Sequence, residues 1–200
     1  MELFLNATSP YARLVRIVVL EKGLADAVKL RWCDPWSDDA QLLEANPAGR
    51  IPALITEDGT ALSESLVIAL YLDGMGRSEP IIPASRLSEV LRQAGLGQSL
   101  MDAAFGTVIG RKHQGKEVDD TVLGRRRWRA IHRILDRLEN EISADPVSPS
   151  MTLGEISIAV ALDYLSFRLT ETNWPERHEK LKAWHQHVTK KESFAQTAFL

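Results

Sequence analysis

The hydrophobic rhythm of this chain changes a little more than a third of the way along. Up to about residue 75, short apolar runs of strand length alternate with helical stretches. Beyond that point every periodic segment has the three- and four-residue spacing of a helix. Residues 2–6 read as a short strand. Ser9-Pro10 then supplies a serine N-cap and a proline at the first helical position, opening a helix to about Lys22 that Gly23 closes. Leu14, Val15, Ile17, Val18, Val19 and Leu20 surround most of this helix, which predicts burial on two sides. Residues 28–32 read as a second strand, and residues 38–45 as a short helix that stops before Asn46-Pro47. Two further strands, Ala53-Leu54-Ile55 and Ala61-Leu62-Ser63, flank a turn around Gly59. Glu64-Ser65 opens a helix through Leu72, so the predicted order is βαβαββα.

The run from Asp73 to Pro80 gathers glycine, proline and charge and reads as a linker. The expected organisation is a first domain over 1–75, a linker over 76–84 and an all-helical domain over 85–200. In that second part Trp128, Ile131, Leu135, Leu138 and Ile142 form one face of a long amphipathic helix. Thr152 and Glu155 make a capping box for a helix over 156–167, apolar nearly all round and expected at the domain's centre. Trp174-Pro175 starts another helix through Trp184. The fold class is therefore α/β plus all-α, the second part a helical bundle.

Composition removes several classes of function. The 200 residues are 44% hydrophobic and 26% charged, with 24 Lys and Arg against 27 Asp and Glu, so no global field favours nucleic acid or membrane. No apolar run approaches the roughly 18 residues of a membrane span, and the first residues lack the basic start of a signal peptide. Cys33 is the lone cysteine, which excludes a disulfide framework or a Cys-x-x-Cys pair and predicts a reducing, cytoplasmic setting. The five histidines show no ligand spacing, so no metal is expected. Arg125, Arg129, Arg133 and Arg137 recur every four residues. Such a stripe suits an acidic partner or nucleic acid, but in a net acidic chain the expected reading is a solvated face bridged to Asp136 and Glu139.

Three local patterns carry candidate chemistry. Ser9 stands after a strand at the positive end of a buried helix; with no His/Asp partner set it is no nucleophile, but its hydroxyl and the helix dipole suit a ligand's thiolate. Ile51, held extended by Pro52, suits main-chain pairing with a bound peptide. The helix start at Glu64-Ser65 suits a carboxylate, with Glu64 beside it for an ammonium. A small zwitterionic peptide matches all three.

Ser9-Pro10-Tyr11, then Arg50-Ile51-Pro52, then Glu64-Ser65 resembles the soluble glutathione S-transferase superfamily. The resemblance covers essentially the whole chain, including the capping box at Thr152 and the Glu192-Ser193-Phe194-Ala195 ending, and is strongest to bacterial Ser-type members. It implies a thioredoxin-like first domain that binds glutathione and a helical second domain, usually as a homodimer, with glutathione as co-substrate and no metal. Ser9 then stands where the family places the hydroxyl that stabilises the glutathione thiolate. Ile51, before a cis Pro52, pairs with the cysteinyl part, Glu64 and Ser65 hold the γ-glutamyl end, and Arg50 reaches the glycyl carboxylate. The tyrosine that other classes carry at the end of the first strand is replaced by Asn6-Ala7, and the cysteine of disulfide-exchanging classes is missing. Thr8 and Tyr11 are rival hydroxyls. The expected activity is a detoxifying transfer of the thiolate to a small hydrophobic electrophile, held by Tyr11, Met101 and Phe105. Alternatives are a non-catalytic binding or regulatory protein, or a glutathione-dependent isomerase or peroxidase on the same site.

Overall fold

A computed structural model describes residues 1–76, 78–142 and 150–200. Its first part is β1 (Glu2–Leu5), α1 (Pro10–Glu21), β2 (Lys29–Trp32), α2 (Ala40–Ala45), β3 (Ala53–Ile55), β4 (Ala61–Ser63) and α3 (Ser65–Met75). The strands form one sheet in the order β2-β1-β3-β4. β1 and β2 are parallel, with Leu5 opposite Trp32, and the other two pairs are antiparallel. A βαβ crossover followed by a hairpin gives this arrangement, and it matches the thioredoxin-like expectation. α1 and α3 pack on one face of the sheet through Leu14, Ile17, Val18, Ile68 and Leu72, all wholly buried. On the other face α2 closes a smaller cluster of Phe4, Leu42, Ala45 and Ala53.

The remaining chain is helical: α4 (Leu87–Gln114), α5 (Val122–Glu141), α6 (Leu153–Arg168), α7 (Trp174–Arg177), α8 (Glu179–Val188) and α9 (Glu192–Gln196). α6 is buried along most of its length and packs against α1, α4 and α8. Both halves of its capping box form, between the Thr152 hydroxyl, the Glu155 backbone and the Glu155 carboxylate. No helix among the described residues is long and apolar enough to cross a membrane.

Several boundaries differ from the sequence expectation. α2 begins at Ala40 because Asp39 is the N-cap, its carboxylate accepting from the Gln41 and Leu42 amides. α3 extends to Met75, so Asp73 and Gly74 are helical despite their linker composition. The Asp73 carboxylate accepts from the amides of Ile81 and Ile82 and pairs with the buried Lys22 ammonium at 2.9 Å. Those bonds hold the helix past its Gly. Arg77, within the expected linker, lies outside the described residues. The single helix expected from Trp174 to Trp184 is broken at His178. Its ring contacts the Trp174 carbonyl and Asp136 of α5, while Glu139 caps the amides of Lys180 and Leu181.

The seam between the two parts is polar at its centre. Arg13 of α1 is 5% exposed, and its guanidinium meets Asp163 of α6 at 2.6 Å. Asp163 also receives His185 of α8 at 2.7 Å. Burial works against charge on Asp163, but the hydrogen bond from His185 and the field of Arg13 together hold its carboxyl below the usual range. The rim of Phe199 lies under the same guanidinium at 4.6 Å. Nearby, Glu21 accepts from Lys191 and Ser193, so α9 is clasped to the C-terminal end of α1.

α4 and α6 approach so closely at Gly97 that an added Cβ would lie 2.5 Å from the Ser157 carbonyl carbon and 2.7 Å from the Ile158 nitrogen. The neighbours are backbone and cannot rotate away. Alanine gains about 1 kcal/mol of helix propensity, whereas forced overpacking costs about 1–3 kcal/mol or more. Gly97→Ala is therefore expected to lower stability in urea unfolding, despite the better helix former.

Candidate functional site

The site begins at the turn that leaves β1. The Asn6 side-chain oxygen accepts from the amides of Thr8, at 3.1 Å, and Ser9, at 2.8 Å, an Asx-type turn that delivers the chain into α1. Ser9 is the N-cap, with extended dihedrals, and its Oγ accepts from the Ala12 amide at 3.2 Å. It is 8% exposed. With a lone pair engaged by that amide, the hydroxyl proton remains the group it can offer. Asn6 was noted in the sequence only for replacing a tyrosine; its position three residues before the cap was the missed signal.

Of the rival hydroxyls, Tyr11 is committed elsewhere. Its phenol donates to Asp102 of α4 at 2.7 Å, and its ring meets Phe105 edge-on with centroids 5.6 Å apart. Burial first, then the hydrogen bond and charge of Asp102, push the Tyr11 pKa far above its ordinary value, and the field of Glu64 adds to the rise. Tyr11 and Phe105 thus touch where α1 meets α4. Met101 does not join them. It is wholly buried in the shared core.

Asn46 shapes the loop before β3. Its amide donates to the Arg50 carbonyl at 2.7 Å and its oxygen accepts from Ala48 at 3.1 Å. Gly49 takes the left-handed backbone that the turn requires, at φ 62. The Ile51–Pro52 peptide is cis, and Ile51 packs its side chain on the small cluster beneath the sheet. No hydrogen bond engages the Ile51 main chain among the described residues, which leaves its N–H and C=O for an extended ligand.

Glu64 is the N-cap of α3 at φ 68, ψ 123, with no side-chain capping bond. A positive φ at a non-glycine residue is uncommon and costs about 1–3 kcal/mol, a feature that composition did not signal. The first turn of α3 follows directly, beginning at Ser65, which is 3% exposed. The Glu64 carboxylate pairs with Arg50 at 3.0 Å, both side chains being mostly exposed. Arg50 therefore stands beside Glu64 in this structure, with its side chain mostly exposed.

Other candidates settle into structural positions. Cys33 is half-buried, and burial together with the Asp39 charge raises its thiol pKa. Among the described residues no group of three or more His, Cys, Asp or Glu could hold a metal ion. The arginine stripe of α5 does not act as one surface. Arg125 bonds the Asp120 carbonyl, Arg137 pairs with Glu141, and the expected partners Asp136 and Glu139 serve His178 and α8 instead.

The family profile described as "Glutathione S-transferase, N-terminal domain" matches residues 8–75, and the corresponding C-terminal profile matches residues 122–187. The chain belongs to the glutathione S-transferase family. It is similar to the GST-like protein YibF of Escherichia coli K12, 30% identical over 200 residues, covering 98% of each chain. A glutathione transferase family member from Pseudomonas fluorescens Pf-5, solved with bound glutathione, superposes with a TM-score of 0.89 at 32% identity over 98% of both chains. A second Pf-5 structure, solved with S-(propanoic acid)-glutathione, gives a TM-score of 0.85 at 30% identity over 98% of each. The transferase fold thus accounts for both parts of the chain.

The state of Tyr11 can be read directly. In a spectrophotometric titration, the difference between the native protein and Tyr11→Phe is expected to show no phenolate from Tyr11 at about pH 11, where an ordinary tyrosine with pKa near 10 is mostly ionised. A Tyr11 phenolate forming near pH 10 would remove the Asp102 bond from the account.

Proposed function

We propose that the chain binds glutathione, ionises its thiol at Ser9 and transfers the thiolate to a small electrophile held between α1 and α4. The observation that carries this reading is Ser9 itself: a buried hydroxyl at the positive end of α1, its oxygen already accepting from Ala12. A free thiol near pKa 8.5 is only a few per cent thiolate at neutral pH, and lowering it by about 2 units makes it mostly anionic. The hydroxyl donates to the sulfur, and the first amides of α1 add their dipole. The sulfur's electron pair then forms the bond to the electrophile's carbon as the leaving group departs with its own pair, or, in conjugate addition, as the neighbouring carbon takes up a proton.

The other contacts follow the peptide. Ile51 pairs its main chain with the cysteinyl unit ahead of cis Pro52. Ser65 and the opening amides of α3 take the γ-glutamyl carboxylate, Glu64 takes the ammonium, and Arg50, beside Glu64, adds its charge at that same end. In this reading residues 1–75 bind glutathione, 76–84 connect, and 85–200 supply the far wall of the electrophile site. Glutathione and its S-(propanoic acid) conjugate in the Pf-5 relative support the same ligand class here. A cytoplasmic, detoxifying role follows from the need for reduced glutathione.

Ser9→Ala is expected to raise the pKa of bound glutathione, followed by thiolate absorbance, by about 1–2 units, the worth of a hydrogen bond of about 1.5–3 kcal/mol to a charged group. Turnover at neutral pH should fall with it. An unchanged thiol pKa and rate would sink the role of Ser9.

We also infer a homodimer. Val67 and Leu70 of α3 and Leu91 of α4 are half exposed or more, and Leu87 at the start of α4 nearly so. Between α4 and α5 lies a groove of about 530 Å³ floored by Leu96, Ala130 and Ile134 and rimmed by Arg92, Arg133 and Arg137. A two-fold pairing covers both surfaces at once, with Glu57 and Asp58 on the β3–β4 turn as the opposite charges. Light scattering should give twice the chain mass of 22.3 kDa; a monomer at micromolar concentration would reject the pairing.

A further inference from the structure

α4 meets the first part of the chain at a second place, which the proposed glutathione contacts do not use. β2 runs parallel to β1, and the Cys33 amide donates to the Leu5 carbonyl at 3.0 Å. The segment after β2 therefore leaves the sheet at the same edge where Asn6 to Ser9 turn into α1. From this segment Trp36, 57% exposed, reaches across to the last turn of α4. Its ring lies 5.2 Å from the His113 ring, and the Lys112 ammonium stands 5.3 Å above it.

α4 thus touches the first part of the chain at two places on this side. Asp102 and Phe105 meet Tyr11, and His113 with Lys112 meets Trp36. Phe105 and His113 are eight residues apart, or about 12 Å along the helix axis. Phe105, Ile109 and His113 follow one another at four-residue spacing along the intervening face, and Phe105 and Ile109 are half-buried. This side of α4 is therefore aromatic and aliphatic at its inner end, beside Tyr11, and aromatic and basic at its outer end.

Lys112 at the outer end has no carboxylate partner among the described residues. No ion pair involves Lys112 or His113 among the described residues, whereas the adjoining Arg111 is held by Asp119 and Glu171. Two carboxylates of the Trp36 segment are already engaged with backbone. Asp34 accepts from the Trp36 amide, and Asp39 from the cap of α2. Lysine and histidine in a last helical turn also complement the helix dipole. That effect requires no aromatic partner from another element, so it does not account for the Trp36 bridge.

We propose that Trp36, Lys112 and His113 form the outer wall of the electrophile site and select a planar electrophile that carries an anionic group. This rests on the transferase reading above. The reactive carbon lies toward Ser9, the flat body lies against Phe105 and Ile109, and the anionic substituent reaches Lys112 while the ring edge stacks on Trp36. An anion in place of solvent at Lys112 gains a charge-assisted contact, and Trp36 supplies a rigid aromatic platform at low entropy cost.

The test compares two S-aryl conjugates of glutathione, the dinitrophenyl conjugate and the same conjugate with one added ring carboxylate, by calorimetry on the full chain. Turnover of a chlorodinitrobenzene and the matching chlorodinitrobenzoate is measured in parallel. The native protein should prefer the carboxylate form. Lys112→Met should weaken binding of that form about five-fold, the upper end for an exposed ion pair, and alter the neutral conjugate less than two-fold. Lys112→Arg should restore the preference, and added salt should erode it. Trp36→Ala should weaken both conjugates. Equal response of the two conjugates to Lys112→Met, or no preference in the native protein, would overturn the proposal and leave the role of Ser9 standing. Failure to bind glutathione or either conjugate would overturn the transferase reading and this inference together. A charge preference in binding without turnover would overturn the transfer step alone and support the outer wall.

Discussion

A charged guanidinium held almost out of water sets the geometry of this protein. Arg13 lies one turn into α1, and the helix that carries it must also place Ser9 at its N-terminus. Leaving such a charge unpaired in the interior costs about 3–5 kcal/mol. Asp163 of α6 must therefore stand at 2.6 Å from it, and His185 of α8 in turn fixes the carboxylate. This buried ion pair joins the sheet-bearing part to the helical part, alongside the Glu21–Lys191 pair and the Tyr11–Asp102 hydrogen bond. Apolar packing around it supplies the larger share of stability, but hydrophobic contact is non-directional. The buried pair gives the seam its register.

That register decides where α4 runs. Its middle passes Tyr11 and its last turn reaches Trp36. The features proposed to hold the peptide lie on the sheet side: the Ile51 main chain, the first amides of α3 and the Glu64–Arg50 pair. They rest on backbone conformation more than on side-chain chemistry, through the Asn6 and Asn46 turns, the cis peptide and the positive φ of Glu64. The helical side contributes side chains instead. In the proposed reading the glutathione side is thus set mainly by backbone and the electrophile side by side chains.

Much of the fold could be read from the chain because its signals are local. Ser9-Pro10 caps a helix, Thr152 and Glu155 make a box, and strand-length apolar runs precede turns; each involves residues within a few positions of one another. The failures involve distant partners. Asp73 and Gly74 have linker composition, but Lys22 and the amides of Ile81 and Ile82 keep them helical. His178 breaks a helix because Asp136 and Glu139 of another helix hold its surroundings. Met101 and Phe105 are four residues apart on one helix, and the packing of the shared core decided that Met101 is the one wholly buried.

By itself, the sequence determined the order of elements, the serine at the head of α1, the proline after Ile51 and the acid–serine start of α3, since caps, turns and periodicity are short-range properties of the backbone. Only the tertiary structure decided that Tyr11 is bound to Asp102, that Arg50 stands beside Glu64, and that Trp36 meets the end of α4. Those pairings join residues 14 to 91 positions apart. Their existence depends on how rigid elements pack around a buried charge, and no local pattern encodes that.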